Sequence, residues 1–219
     1  MSGPSVSPTT PSVWNVPNVL TTTRLVLSIA LFVVIGIAQN LTAADAARQS
    51  TLYWIALVLF LIAAGTDWLD GYWARKYQQV TVVGRIFDPF VDKVIICGTY
   101  VFLVASPGSQ VAAWMAVVVM GRELLVTALR GFLEQRGTDF SANMAGKLKM
   151  VVQCAAAVGS LWLLTYTTPA EQPAPSWMQP TVTILVWAAV LITIYSGAGY
   201  VVAASKLIGP AGAAPTDDT

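Results

Sequence analysis

The chain has 219 residues, of which 56% are hydrophobic and only 11% charged, with a mean hydropathy of +0.66. That is far more apolar than a soluble domain of this length and reads as a single integral membrane domain. The formal net charge of +1 lacks the dense basic face that phosphate backbones require, so a nucleic-acid partner is excluded.

A helix needs about 20 apolar residues to cross roughly 30 Å of hydrocarbon, and six stretches centred near residues 30, 60, 98, 118, 157 and 192 offer that length. The expected fold is therefore an all-α integral membrane protein with six transmembrane helices and a short N-terminal juxtamembrane segment. Residues 1–12, rich in Ser, Thr and Pro, and 206–219, whose last residues are rich in Ala and Asp, read as tails flanking a membrane domain at 13–205. Val13 to Asn18, interrupted by Pro17 and carrying Trp14, suits a segment lying at the headgroups. The first span then starts near Leu20, with Thr21, Thr22 and Thr23 available as caps. A cleavable signal is disfavoured because its positively charged leader is missing.

The second span starts near Leu52 and continues without a breaker through Asp67, Asp70 and Arg75. The third follows Gly84 and runs to about Ala105, where Pro107 and Gly108 predict a tight turn into the fourth, Val111 to about Leu133. Gln135 to Gly146 reads as a loop, and Lys147 and Lys149 open the fifth span. Thr167 to Pro180, with four prolines, is the longest connection before the sixth span, about Val182 to Ala204. With the N-terminus inside, Arg75, Lys76, Arg85, Arg130, Arg136, Lys147, Lys149 and Lys206 all lie inside and Arg48 outside, as the positive-inside rule requires of an even number of spans. Cys97 and Cys154 fall within spans, which favours buried, inert thiols over a disulfide.

Between residues 67 and 92 the chain reads DWLDGYWARKYQQVTVVGRIFDPFVD. At about 100° per residue, Asp67, Asp70, Gly71 and Ala74 share one helical stripe flanked by Arg75, and Gly84, Asp88 and Asp92 form a second. Two such helices facing each other would gather four carboxylates, a self-repelling cluster unless cations occupy it. The competing reading is four interfacial aspartates paired with Arg75, Arg85 and Lys93 or capping helices, with Asp88 as an N-cap before Pro89. The cost of charge within a span, about 2.5 to 3.5 kcal/mol per residue at its centre, argues against four incidental aspartates. With no histidine in the chain, a carboxylate-only site selects a hard cation, Mg²⁺ or Mn²⁺, and a pair of ions suits phosphoryl transfer.

This segment fits D-x2-D-G-x2-A-R-x8-G-x3-D-x3-D throughout and resembles the signature of the CDP-alcohol phosphotransferase family. The resemblance implies that Asp67, Asp70 and Asp88 are metal ligands and that Asp92 both binds metal and accepts the proton of the attacking alcohol. It further implies that Gly71, Ala74 and Gly84 lie beside the cytidine nucleotide and Arg75 on its phosphates, with Asn18 and Thr21 nearby. Arg75 and Arg85 are alternatively positive-inside anchors, and capping explains Thr21 equally well.

Three further segments, PNVLTTTR at 17–24, GRELLVTALR at 121–130 and GKLKM at 146–150, look like the phosphatidylglycerophosphate synthase branch of that family, with Met150 departing from a GKxKT pattern. The reaction so implied is transfer of the phosphatidyl group of CDP-diacylglycerol to sn-glycerol 3-phosphate, giving phosphatidylglycerophosphate and CMP. The acceptor's phosphate needs cations of its own, and Arg122, Arg130, Lys147 and Lys149 are available. An arginine near mid-span is a functional candidate by default; the alternatives are an internal ion pair of Arg122 with Glu123 or Asp139, and snorkelling lysines. Resemblance also implies a homodimer in a bacterial inner membrane with its active site at the cytoplasmic side. Transfer to another acceptor, as in cardiolipin, phosphatidylserine or phosphatidylinositol phosphate synthesis, shares the aspartates. A six-span cation transporter is the rival outside the family, but it leaves the fixed offsets of Gly71, Ala74, Arg75 and Gly84 unexplained.

Overall fold

In a computed structural model of the chain, the apolar stretches form six helices: α1 (Val16–Gln39), α2 (Ala46–Tyr77), α3 (Val82–Val104), α4 (Ala113–Glu134), α5 (Met144–Leu164) and α6 (Met178–Ile208), with a short 3-10 turn at Ala43–Asp45. The structure describes residues 16–77, 82–134, 144–166 and 173–208, and for 67–77 and 82–88 it describes the helical backbone. No strand occurs among the described residues.

The six expected helices are present. Val19–Gln39 of α1, Ala46–Thr66 of α2 and Met178–Val202 of α6 are long and apolar enough to cross a membrane by length and composition. The other three, at 23, 22 and 21 residues, reach about 30 Å at 1.5 Å per residue. Ionisable residues such as Asp92, Lys93, Arg122, Glu123 and Lys149 interrupt them. The 32-residue α2 runs on without a break from its apolar first two thirds through Asp67 to Tyr77.

Several boundaries differ from those expected. The helix α1 begins at Val16, so Pro17 and Asn18 lie in its first turn instead of in a separate headgroup segment, and Val13 to Asn15 lie outside the described residues. Proline is tolerated there because a first-turn N–H has no intrahelical partner anyway. The threonines are consequently interior: Thr23 Oγ1 donates to the Val19 carbonyl at 2.8 Å, and Thr21 is a buried position rather than a cap. The helix α3 begins at Val82, which places Pro89 inside it and removes Asp88 from the N-cap role. A proline in that position deprives the carbonyl of Arg85 of its i→i−4 donor; Lys93 Nζ donates to the Pro89 carbonyl at 2.8 Å. The last helix takes in Pro180 and continues to Ile208, three residues into the expected tail, while residues 1–12 and 209–219 lie outside those described.

Side-chain hydrogen bonds show which helix ends meet. Gln39 Nε2, at the end of α1, donates to the Phe102 carbonyl (2.7 Å) and Ser106 Oγ (2.8 Å) at the end of α3. Ser50 near the start of α2 donates to the Thr165 carbonyl beyond α5 (2.8 Å), and Thr183 near the start of α6 donates to Gln110 before α4 (3.2 Å). These contacts define one end of an up-down bundle, and among the described basic side chains only Arg48 sits there. The turn between α3 and α4 at that end holds Gly108 (φ 88°) and Gln110 (φ 66°), as Pro107 and Gly108 predict. Ser109, buried within it, donates to the Leu103 carbonyl at 2.6 Å.

Packing follows the helical period. On α1 the buried residues are Thr21, Arg24, Ser28, Leu31, Ile35 and Ala38, steps of three and four that make one inward stripe. Val26, Ile29, Val33 and Ile37 face outward, as expected where the surrounding medium is hydrocarbon. The inward stripe packs chiefly on α2 and α3, while α5 packs on α6. Phe32 stacks on Phe102 with ring centroids 5.2 Å apart and brings the tip of its ring to Gly98, where a Cβ would meet Cζ at 2.2 Å. Only glycine lets α1 and α3 approach this closely.

Candidate active site

At the end of the bundle opposite the Gln39 and Ser50 contacts, two charged clusters lie among the described residues. The first joins α1 to α3. Arg24 is the sole charged residue of α1, is 2% exposed, and donates from Nη1 to Asp92 Oδ1. The Asp92 side chain keeps 33% of its surface accessible. Burial of a guanidinium is tolerable only with a counter-charge, and removing one partner of such a pair costs about 3 to 5 kcal/mol. Arg24 is therefore tied to Asp92 by the cost of leaving either alone. Ser28, one turn on, donates to the Arg24 carbonyl at 2.8 Å.

Asp67, Asp70, Gly71, Ala74 and Arg75 lie along the polar extension of α2, and Gly84, Asp88 and Asp92 along α3. The helical spacings on which the two-stripe reading depends are thus present in the backbone. The side chains of all these residues except Asp92 lie outside those described, as do those of Asn18 and Lys147. Thr21 is buried one turn before Arg24, on the same face of α1.

The second cluster joins α4, α5 and α6. Lys149 Nζ donates to Glu123 Oε1, and the same oxygen receives Arg122 Nη1 at 3.4 Å. Arg122 also donates to Ser196 Oγ through Nε (3.0 Å) and Nη2 (2.6 Å), with its guanidinium carbon 5.6 Å from the centroid of the Tyr200 ring. Arg130 Nη2 donates to the Tyr200 hydroxyl at 3.3 Å. Ser196 and Tyr200 are four residues apart on α6 and hold Arg122 and Arg130, eight apart on α4. Gly197 makes room for this: a Cβ there would meet Arg122 Cγ at 3.1 Å. One turn deeper, Gln153 Nε2 donates to Thr193 Oγ1 at 2.8 Å and the Tyr100 hydroxyl to the Gln153 carbonyl at 3.3 Å, a buried polar seam beneath the charges.

Three of the four residues expected to receive the acceptor's phosphate, Arg122, Arg130 and Lys149, thus meet in one network. The expected alternative for Arg122, an ion pair with Glu123, is also present, and the two readings are compatible because Glu123 is shared. Asp139 lies outside the described residues. Cys97, five residues past Asp92 on α3, is within electrostatic reach of Glu123 and Lys149. Cys97 and Cys154 are in no disulfide and are half-buried.

Sequence reasoning gave no site role to Arg24, Ser196 or Tyr200, and named Glu123 only as an alternative ion-pair partner of Arg122. For Arg24 the signal was available: a lone charge in an apolar span needs a reason. Glu123 carried the same signal. Ser196 and Tyr200 are ordinary residues in an apolar helix, and only packing against α4 singles them out.

The chain matches the CDP-alcohol phosphatidyltransferase family over residues 14–204. A Bacillus subtilis protein named CDP-diacylglycerol--glycerol-3-phosphate 3-phosphatidyltransferase is 35% identical over 191 residues, covering 85% of this chain and 93% of the relative. Proteins of the same name from Mycoplasma pneumoniae and Haemophilus influenzae are each 32% identical, over 73% and 65% of this chain and 74% and 72% of theirs. The matched span runs through the aspartate helices and both charged clusters, so the chain belongs to the CDP-alcohol phosphatidyltransferase family.

Proposed function

We propose that this protein transfers the phosphatidyl group of CDP-diacylglycerol to the 1-hydroxyl of sn-glycerol 3-phosphate. The observation that carries this reading is the unbroken aspartate motif, carried by two successive helices at the end of the bundle where Arg122, Arg130 and Lys149 converge. The resemblance to relatives named for this reaction covers most of the chain.

The donor set fits a hard divalent cation: four carboxylates on neighbouring helices, with no histidine in the chain. Asp67, Asp70, Asp88 and Asp92 would hold one or two Mg²⁺ or Mn²⁺ ions. When bound, such ions supply charge neutralisation at the pyrophosphate and at the departing phosphate oxygen. Gly71, Ala74 and Gly84 leave space for the nucleotide, Arg75 offers its phosphates an always-charged donor fork, and Asn18 and Thr21 lie along the α1 side. The acyl chains remain in the bilayer.

Arg24 holds the Asp92 carboxylate in place, and Asp92 removes the proton of the acceptor's 1-hydroxyl. The freed oxygen bonds to the β-phosphorus, the bond from that phosphorus to the bridging oxygen breaks, and CMP leaves with the electron pair. Arg122, Arg130, Lys147 and Lys149 hold the phosphate of the acceptor, which positions its hydroxyl; phosphoryl transfer asks little more of a protein than positioning and charge stabilisation. The active site faces the cytoplasm of a bacterial inner membrane, on the side where the basic residues gather, and the enzyme works as a homodimer.

The test is CMP release by purified protein with CDP-diacylglycerol and Mg²⁺ against glycerol 3-phosphate, serine, inositol phosphate and phosphatidylglycerol. Release with glycerol 3-phosphate alone is expected, and excess EDTA should stop it. Release with a different acceptor alone overturns the acceptor assignment, and undiminished turnover in EDTA overturns the metal.

A further inference from the structure

The acceptor reading leaves Glu123 without a task. A carboxylate in a pocket that must bind a phosphate is unfavourable by simple charge repulsion, yet Glu123 is central to the cluster and its side chain is 12% exposed. Its Oε1 is shared between Lys149 of α5 and Arg122 of α4. Lys149 is 6% exposed, and no other side-chain hydrogen bond of its ammonium occurs among the described residues. An ammonium buried to this degree is stable only beside a counter-charge. Arg122, by contrast, has a second support in Ser196. Among the described residues, three cations against one carboxylate leave two positive charges in excess, the charge that a phosphate dianion neutralises.

We propose that Glu123 is a positioning residue for the acceptor's phosphate: its carboxylate clamps Lys149 to Arg122, so that the cations of the pocket are assembled before the phosphate arrives. This deepens the function proposed above and rests on it. Glu123 touches neither the reacting hydroxyl nor the pyrophosphate in this account. It acts through the two cations, and its backbone carbonyl is steadied by Thr127 Oγ1 at 2.7 Å. The energetic logic is preorganisation: a pocket that is already ordered loses less entropy when its ligand binds.

The experiment is steady-state CMP release by Glu123→Gln, Glu123→Asp and Lys149→Met, titrating glycerol 3-phosphate and CDP-diacylglycerol separately. For Glu123→Gln the expected result is a rise of about tenfold in KM for glycerol 3-phosphate, with kcat and the KM for CDP-diacylglycerol within about threefold of the parent, a pattern of lost ground-state binding. Glu123→Asp should recover part of the loss, since it restores the charge on a shorter stem. A purely structural role would lower thermal stability and active fraction while leaving the KM for glycerol 3-phosphate alone, and that result overturns the proposal. A lowered KM also overturns it, because it would make Glu123 a competitor of the phosphate. If Glu123→Gln does not fold in detergent, Glu123→Asp decides by the same KM criterion. A raised KM in Lys149→Met with an unchanged one in Glu123→Gln removes Glu123 alone. An unchanged KM in both removes the acceptor pocket and the role of Glu123 together.

Discussion

Arg24 with Asp92 and Arg122 with Glu123 and Lys149 are both buried ion pairings in a membrane bundle, but they have opposite polarity of purpose. In the first, one cation serves a carboxylate: Arg24 is 2% exposed, while Asp92 keeps a third of its side-chain surface open. In the second, one carboxylate serves two cations and sits as deep as they do. In the first cluster the accessible partner is the one whose chemistry the proposed reaction needs, a base; in the second the carboxylate and both cations are buried alike. Each buried charge has a counter-charge because an isolated charge in low dielectric is too costly to bury. The charged residues of α1, α3, α4 and α5 that take part recover stability through this pairing.

The largest expected effect tests the first cluster. Asp92→Asn keeps the shape and the hydrogen bond to Arg24 but removes the charge and the proton acceptor, and should lower kcat by about a thousandfold or more. The measurement is CMP release by variant that remains monodisperse in detergent; near-parental turnover would remove Asp92 from the mechanism. Next, Arg122→Lys probes the second cluster. A lysine cannot reach Glu123 and Ser196 together with a planar fork, so KM for glycerol 3-phosphate should rise about tenfold or more, with that for CDP-diacylglycerol little changed. Equal rises in both would merge the two clusters into one site and break the comparison. The smallest effect belongs to Gly197→Ala, whose added methyl crowds the Arg122 stem at 3.1 Å. The stem is flexible, so a rise of about threefold in the same KM and a modest loss of thermal stability are expected. A large loss of kcat instead would show that α6 positions more than the acceptor.

How far the sequence alone reaches differs between the two clusters. Helix number and approximate position follow from apolar length, since every backbone polar group in hydrocarbon must be satisfied within its own segment. The ends are less legible. Val16, not Leu20, begins α1, and Ile208, not Ala204, ends α6, because a helix continues into polar sequence as long as nothing breaks it. Pro89 was the plausible helix start that proved to be interior: at sequence level a proline after an aspartate looks the same whether it opens a helix or interrupts one. The motif aspartates and the basic residues of α4 and α5 stand out as chemistry in an apolar background, whereas Ser196 and Tyr200 do not.

Residue type and spacing by themselves determined that this chain forms long apolar helices and that Asp67, Asp70, Asp88 and Asp92 recur on helical stripes, while the motif's resemblance to a known family supplied the reaction class. Those properties are local, written within a few turns of one helix or two consecutive ones. Only the tertiary structure decided which charge meets which. Arg24 and Asp92 are 68 residues apart, Glu123 and Lys149 26, and Arg122 and Ser196 74. The need of a buried charge for a partner can be read from composition, but the partner's identity depends on which helix faces are pressed together, and that is a property of the packed bundle.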